Sequence, residues 1–148
     1  MARIERRIIV EKALNDYSMT KCQIASIELE IDEIKSDPII IGGVDYSYKG
    51  GCTNKINSSV ENNVISIDKM KDRILNLEHE KKLKENMIKR IDMALSILDE
   101  EDEIMINMRY FKKESWYSVG EALAISESAC IKRLEKILDR MSTIIKIY

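Results

Sequence analysis

Proline occurs once in these 148 residues, at Pro38, and four of the five glycines, Gly42, Gly43, Gly50 and Gly51, fall in the same short stretch. Proline and paired glycines are the strongest helix breakers, so this stretch is where a helical chain is interrupted. Histidine is equally scarce: His79 stands alone in LEHEKK on a charged helix face, with no nucleophile at a useful spacing. The acidic run 99 to 103 lacks the Asp/Asn-Gly spacing of a calcium loop, and no glycine-rich phosphate cradle follows a strand. This inventory points away from an enzyme, a metal site and a cofactor. Cys22, Cys52 and Cys130 are odd in number and show no CxxC or Cys/His pairing, which argues against a disulfide framework and a zinc site. Charges interrupt every apolar run well short of the ~18 residues that a membrane span needs. The N-terminal MARIERRIIVEK lacks the apolar core and cleavage site of a signal peptide, so a cytoplasmic protein without membrane contact is expected.

What is present is helical pattern in a soluble balance of 45% hydrophobic and 34% charged residues. From residue 4 to about 36, Val10, Ala13, Tyr17, Thr20, Ile24, Ile27, Ile31 and Ile34 alternate spacings of three and four, a heptad seam. From 62 to about 99 the pattern returns in Ile67, Met70, Ile74, Leu77, Ile88, Ile91, Leu95 and Leu98, with Lys81 and Lys84 at the two positions between. The expectation is an all-α fold whose residues 1–98 form a helical hairpin or coiled coil around a Gly-rich loop at about 38–61. In that loop Ile39, Ile40 and Ile41 suit either docking on the helices or a short strand. Ile34 placed opposite Ile67 sets Lys81 against Thr20 and Lys84 against Tyr17, where the lysine stems can cover the polar layers. The same seams suit pairing between chains, so a homo-oligomer through these helices is expected.

The net charge of −2 conceals a gradient. Asp99-Glu100-Glu101-Asp102-Glu103 form an acidic collar, whereas from 109 onward eight bases face five acids. A basic end of this kind is compatible with a DNA partner. The collar suits a helix N-terminus, with Ile104, Met105, Met108 and Phe111 as an apolar stripe and Lys112-Lys113 closing the helix. Ser115 reads as the cap of a two-turn helix through Trp116, Val119, Ala122 and Leu123, and Ser126 as the cap of a longer one with Cys130, Leu134, Ile137, Leu138 and Met141 inward. Two capped helices joined so closely form a helix-turn-helix in residues 99–148. In so small a domain Trp116 and Tyr110 are expected in the core, and Gly120 where the two helices cross.

The segment LDEEDEIMINMRYFKKESWYSVGEALAISESACIKRLEKILDRM resembles the helix-turn-helix with which sigma factors read the promoter −35 element. Leu98, Glu103, Arg109-Tyr110, Ser115-Trp116, Val119, Leu123, Ser126, Arg133-Leu134 and Leu138 carry the likeness. With the YSYKGG loop, the downstream VEN and the two long helices, the chain is similar to phage-encoded, sigma-like late-gene regulators of the ArpU/RinA type. The resemblance implies a transcription regulator, an activator of phage genes, that binds double-stranded DNA and contacts host RNA polymerase. That turn usually carries Gly where this chain has Ala124, and an Ala held at positive φ costs on the order of 1 kcal/mol.

A recognition helix presents its first turns to base edges, which nominates Ser126, Glu127, Ser128, Ala129, Ile131 and Lys132. Glu127 can accept from cytosine, Ile131 can meet a thymine methyl and Lys132 can donate to guanine. Arg133, Lys136, Arg109, Lys112, Lys113 and Ser115 are phosphate candidates. Two other readings remain. A small-terminase-like packaging subunit also joins a helix-turn-helix to oligomerising helices, although those usually place the DNA-binding module first. A protein-interaction module would bind RNA polymerase without DNA.

Overall fold

A computed structural model describes residues 2–41 and 56–146. Among them the chain is helical, with no strand: α1 Arg3–Asn15, α2 Tyr17–Lys35, α3 Pro38–Ile41, α4 Ile56–Ser96, α5 Glu100–Ile106 continued by a π-helical turn Asn107–Phe111, α6 Trp116–Leu123 and α7 Glu127–Met141. The all-α class expected from the heptad pattern is therefore the observed one. Gly42, Gly43, Gly50, Gly51 and Cys52 lie outside the described residues.

The edges of the expected loop differ from the sequence reading. Ile39-Ile40-Ile41 is neither strand nor extended: Pro38–Ile41 make one helical turn. Pro at a first helical position loses no hydrogen bond, and the Asp37 carboxylate accepts from the Ile39 N–H at 2.9 Å, which starts the turn. The second long helix begins at Ile56 instead of 62. The first long stretch breaks at Asp16, which separates α1 from α2.

The chain groups into two compact units, Met1–Cys22 with Lys84–Tyr148, and Gln23–Leu83. The division falls elsewhere than at residue 98, because α1 belongs with the C-terminal helices. Val10 and Leu14 of α1 are fully buried with Ile91, Met105, Ile106, Val119, Cys130, Ile137 and Met141. Polar bonds hold α1 on the same neighbours. Arg3 and Arg7 both grip Asp139 of α7, with Arg7 Nε 2.8 Å from Oδ1. The buried Tyr110 hydroxyl donates to Glu11 at 2.7 Å, and Lys113 Nζ donates to Asn15 at 2.8 Å.

In the central unit α2 and α4 run antiparallel around Ile27, Ile31 and Leu77, with Ile34 and Ile74 packed beside them. The expected register is displaced by about one heptad. Lys81 pairs with Glu28 at 3.5 Å instead of facing Thr20, Arg73 pairs with Glu30 at 2.8 Å, and Lys35 lies 3.9 Å from Glu78. In the other unit Tyr17, expected beneath the Lys84 stem, donates to Asp92 at 2.6 Å. Apolar spacing repeats every seven residues, so a shift of seven keeps most of the layers apolar, while Lys81 and Lys84 move to the level of Ile27 and Ile24 and Lys81 reaches the flanking Glu28.

Candidate nucleic-acid interface

The acidic collar starts α5 as the sequence suggested: Asp99 caps it, accepting from the Asp102 N–H at 2.8 Å. Ser115 caps α6 and Ser126 caps α7, each hydroxyl accepting a backbone N–H at 3.2 Å. Between the helices Ala124 is left-handed, at φ 56° and ψ 40°. The turn thus keeps the conformation that glycine adopts freely, at the steric cost of an alanine side chain.

Gly120 shows why the turn is so tight. A Cβ there would stand 2.8 Å from the Ile125 carbonyl oxygen, and the Ile125 N–H donates back to the Gly120 carbonyl at 3.0 Å. The close approach is to the backbone of the turn, with the Cys130 sulfur next, at 3.8 Å. This contact fixes where α7 begins relative to α6.

The two faces of α7 separate cleanly. Cys130, Leu134, Ile137, Leu138 and Met141 are buried, whereas Glu127, Ser128, Ile131, Lys132, Glu135 and Lys136 are exposed. Ile131 is the apolar member of that outer face, 45% exposed. Ala129 is half-buried, and Ser126 is exposed at the cap. Lys112 is exposed and ends the π-helical turn.

Several candidates are engaged within the protein. Arg133 donates to Asp102 at 2.6 Å and to Glu101 at 2.8 Å, and Asp99 lies 3.5 Å away. Its guanidinium is held above its ordinary value, first by the bond to Asp102 and then by Glu101. The residue fastens α7 to α5. It compensates Asp102, the one buried charged residue among those described, which Arg140 also approaches at 3.9 Å. Arg109 donates to the Glu114 carbonyl at 3.0 Å and lies over the Trp116 ring at 4.5 Å. Lys113 takes a left-handed backbone, φ 57°, and reaches Asn15. Ser115 serves as a cap. The phosphate candidates with exposed side chains and no such engagement described are therefore Lys112 and Lys136, with Lys132 on the same face as Lys136.

Two core expectations are corrected in degree. Tyr110 is buried, but Trp116 is only partly so and packs at the rim of the cluster beneath Arg109, because it opens α6 at its exposed end. Ile104, expected in the apolar stripe of α5, is 38% exposed, and Ile106 is buried in its place.

Sequence reading missed α1 as a wall of this site. A groove of about 740 Å³ runs between α1 and α7, lined by Ile4, Ile8, Trp116, Ile131, Leu134 and Leu138 and rimmed by charges. The available signal was Leu14, which falls off the heptad seam and yet is fully buried. Burial holds the neighbouring Tyr110 phenol well above its usual value, aided by the Glu11 carboxylate. Asp139 is held far below the usual carboxylate range, chiefly by the hydrogen bond from Arg7 and then by that from Arg3.

A family match spans residues 7–143, all but the ends of the chain. The chain belongs to the family DUF722, proteins of unknown function. No curated protein and no solved structure matches it. The DUF722 assignment covers both compact units, so the family is defined by the long helices as well as by the C-terminal helix pair.

Proposed function

We propose that this protein is a sequence-specific DNA-binding transcription regulator that places α7 in the major groove. The observation that carries the reading is the division of α7: one face locked into the core, and the other presenting Glu127, Ser128, Ile131, Lys132 and Lys136 behind a turn fixed by Gly120. The helix has the diameter and the exposed donors, acceptors and apolar group that base-edge readout uses. Lys132 and Ser128 supply hydrogen bonds, Ile131 an apolar contact and Lys136 a phosphate contact. Arg133 acts indirectly, by holding the helix on α5.

The likeness to sigma-like late-gene regulators supports activation of phage genes and contact with RNA polymerase. No feature of the helices favours the packaging-subunit or polymerase-only readings over it. The testing experiment is retention of DNA fragments from the protein's own replicon at about 150 mM salt, with a Lys132→Ala/Lys136→Ala variant alongside. One fragment kept by the natural protein and lost by the variant supports the reading. Equal retention by both removes α7 from the interface.

A further inference from the structure

The groove between α1 and α7 lies wholly within the terminal unit. One wall is a ridge on α1, where Ile4 is 68% exposed and Ile8 57%, one helical turn apart. Ile131 of α7 stands across from them, and the buried Leu134 and Leu138 line its depth. The two helices run antiparallel, since Arg3 and Arg7 near the start of α1 reach Asp139 near the end of α7.

Charge divides this groove along its length. Where α1 starts, both arginines are matched by carboxylates, Arg7 also lying 3.5 Å from Glu135. The other end, by Asn15, is roughly 16 Å away along α1. There Lys113 bonds the neutral Asn15 amide, and Arg109 bonds the Glu114 carbonyl above the Trp116 ring. Neither cation meets a carboxylate among the described residues. Glu11, which lines the groove nearby, accepts from the Tyr110 hydroxyl instead.

The walls select the form of an occupant. A small ligand is normally enclosed over most of its surface, and walls this open do not enclose one. An extended peptide would lay unpaired N–H and C=O groups on isoleucine and leucine. A helix satisfies its own backbone and nests between α1 and α7 as a third helix.

We propose that the groove between α1 and α7 docks an amphipathic helix of another protein, its apolar side chains on Ile4, Ile8 and Ile131 and its carboxylates at the end facing Lys113 and Arg109. About three turns, roughly 11 residues, span it, which makes the contact one of the small, transient class. Ile131 is the residue it shares with the DNA-binding reading. Its test uses other positions, so either reading can fail alone.

The test titrates the full chain, from about 1 to 300 µM, against dye-labelled, helix-stapled peptides of about 14 residues. All carry leucine at spacings of three and four on one face. Two place a pair of glutamates in the first or the last turn; the controls carry glutamine or lysine at those sites. Peptide anisotropy gives affinity, and the fluorescence of Trp116, the only tryptophan and part of the groove lining, should shift on binding. One glutamate peptide should bind roughly fivefold tighter than its glutamine form, and the lysine form should bind weakest. Lys113→Gln should remove most of that preference. Ile4→Gln/Ile8→Gln, at open sites and without change of charge, should leave circular dichroism and DNA retention intact and weaken every peptide at least tenfold. Binding of no peptide, indifference to the isoleucine substitutions, a preference that survives Lys113→Gln, or tighter binding of the lysine form would overturn the proposal. So would dimerisation of the protein alone that Ile4→Gln/Ile8→Gln abolishes, which would seat a second copy in the groove.

Discussion

The two compact units of this chain are held together by different means. The terminal unit gathers fifteen buried residues from α1, α4, α5, the π-helical turn, α6 and α7 and the segment after α7 into one cluster, and closes its edges with Arg3, Arg7 and Arg133 on carboxylates. Among its described residues the central unit buries three, Ile27, Ile31 and Leu77, with exposed ion pairs along its flanks. Exposed pairs contribute little each, about 0–1 kcal/mol. The difference teaches that a heptad seam alone describes a contact, whereas a cluster closed on several sides makes a rigid site. Helix α7, with its exposed outer face, belongs to the more fully packed unit, which suits the proposed role of holding contact atoms in place.

Paired truncations break this comparison most sharply. Leu14→Ala should destabilise the terminal unit by about 2–5 kcal/mol, whereas Ile31→Ala, at the thin seam, should cost less, roughly 1–2 kcal/mol. Chemical denaturation of both variants measures the gap; equal losses would mean that the central seam is packed as tightly as the larger core. Asp102→Ala removes the carboxylate that Arg133 is bound to and should cost about 3 kcal/mol, because a partly buried guanidinium loses its chief partner. Thermal unfolding of that variant, compared with Asp72→Ala on an open helix face, isolates the effect.

The turn sharpens the comparison within the rigid unit. Gly120→Ala forces a Cβ onto the Ile125 carbonyl and should cost roughly 1–3 kcal/mol, while Ala124→Gly relieves the left-handed alanine and should leave stability unchanged or raise it by up to ~1 kcal/mol. The smallest effect is titrational. The Asp139 carboxyl is depressed in the folded protein, so its contribution is complete above its unfolded value, near 4, and is lost as the pH falls below it toward the folded one. An acid titration followed by α1 amide exchange should show this loss, and Asp139→Asn should flatten it.

How much was legible follows the physics of each region. Ser115 and Ser126 were readable as caps, and Asp99 to Glu103 as a helix start, because capping is decided within four residues. Gly120 was readable because a glycine in a helix needs a reason, although the close partner proved to be the Ile125 carbonyl. The inward face of α7 was readable from its period. The hairpin register was not, since a shift of seven residues keeps most layers apolar, moving Lys81 and Lys84 from Thr20 and Tyr17 to Ile27 and Ile24, and flanking side-chain pairs such as Lys81 with Glu28 come with the observed option. The docking of α1 on α7 escaped for a related reason: Val10 fits a seam continuing into α2, and only Leu14, an apolar residue off that seam, signals that α1 has a second set of partners. Arg133 shows the limit for site residues. A basic residue on α7 reads as a phosphate ligand in the sequence until the carboxylate of Asp102 beneath it is placed.

The most direct test of the central claim is the salt dependence of binding to a retained DNA fragment, compared between the natural protein and Lys132→Ala/Lys136→Ala. If the outer face of α7 meets DNA, the slope of log K against log salt should become shallower by up to about 2, as two cations leave the interface. An unchanged slope and affinity would contradict the account and place the DNA, or the true partner, on another surface.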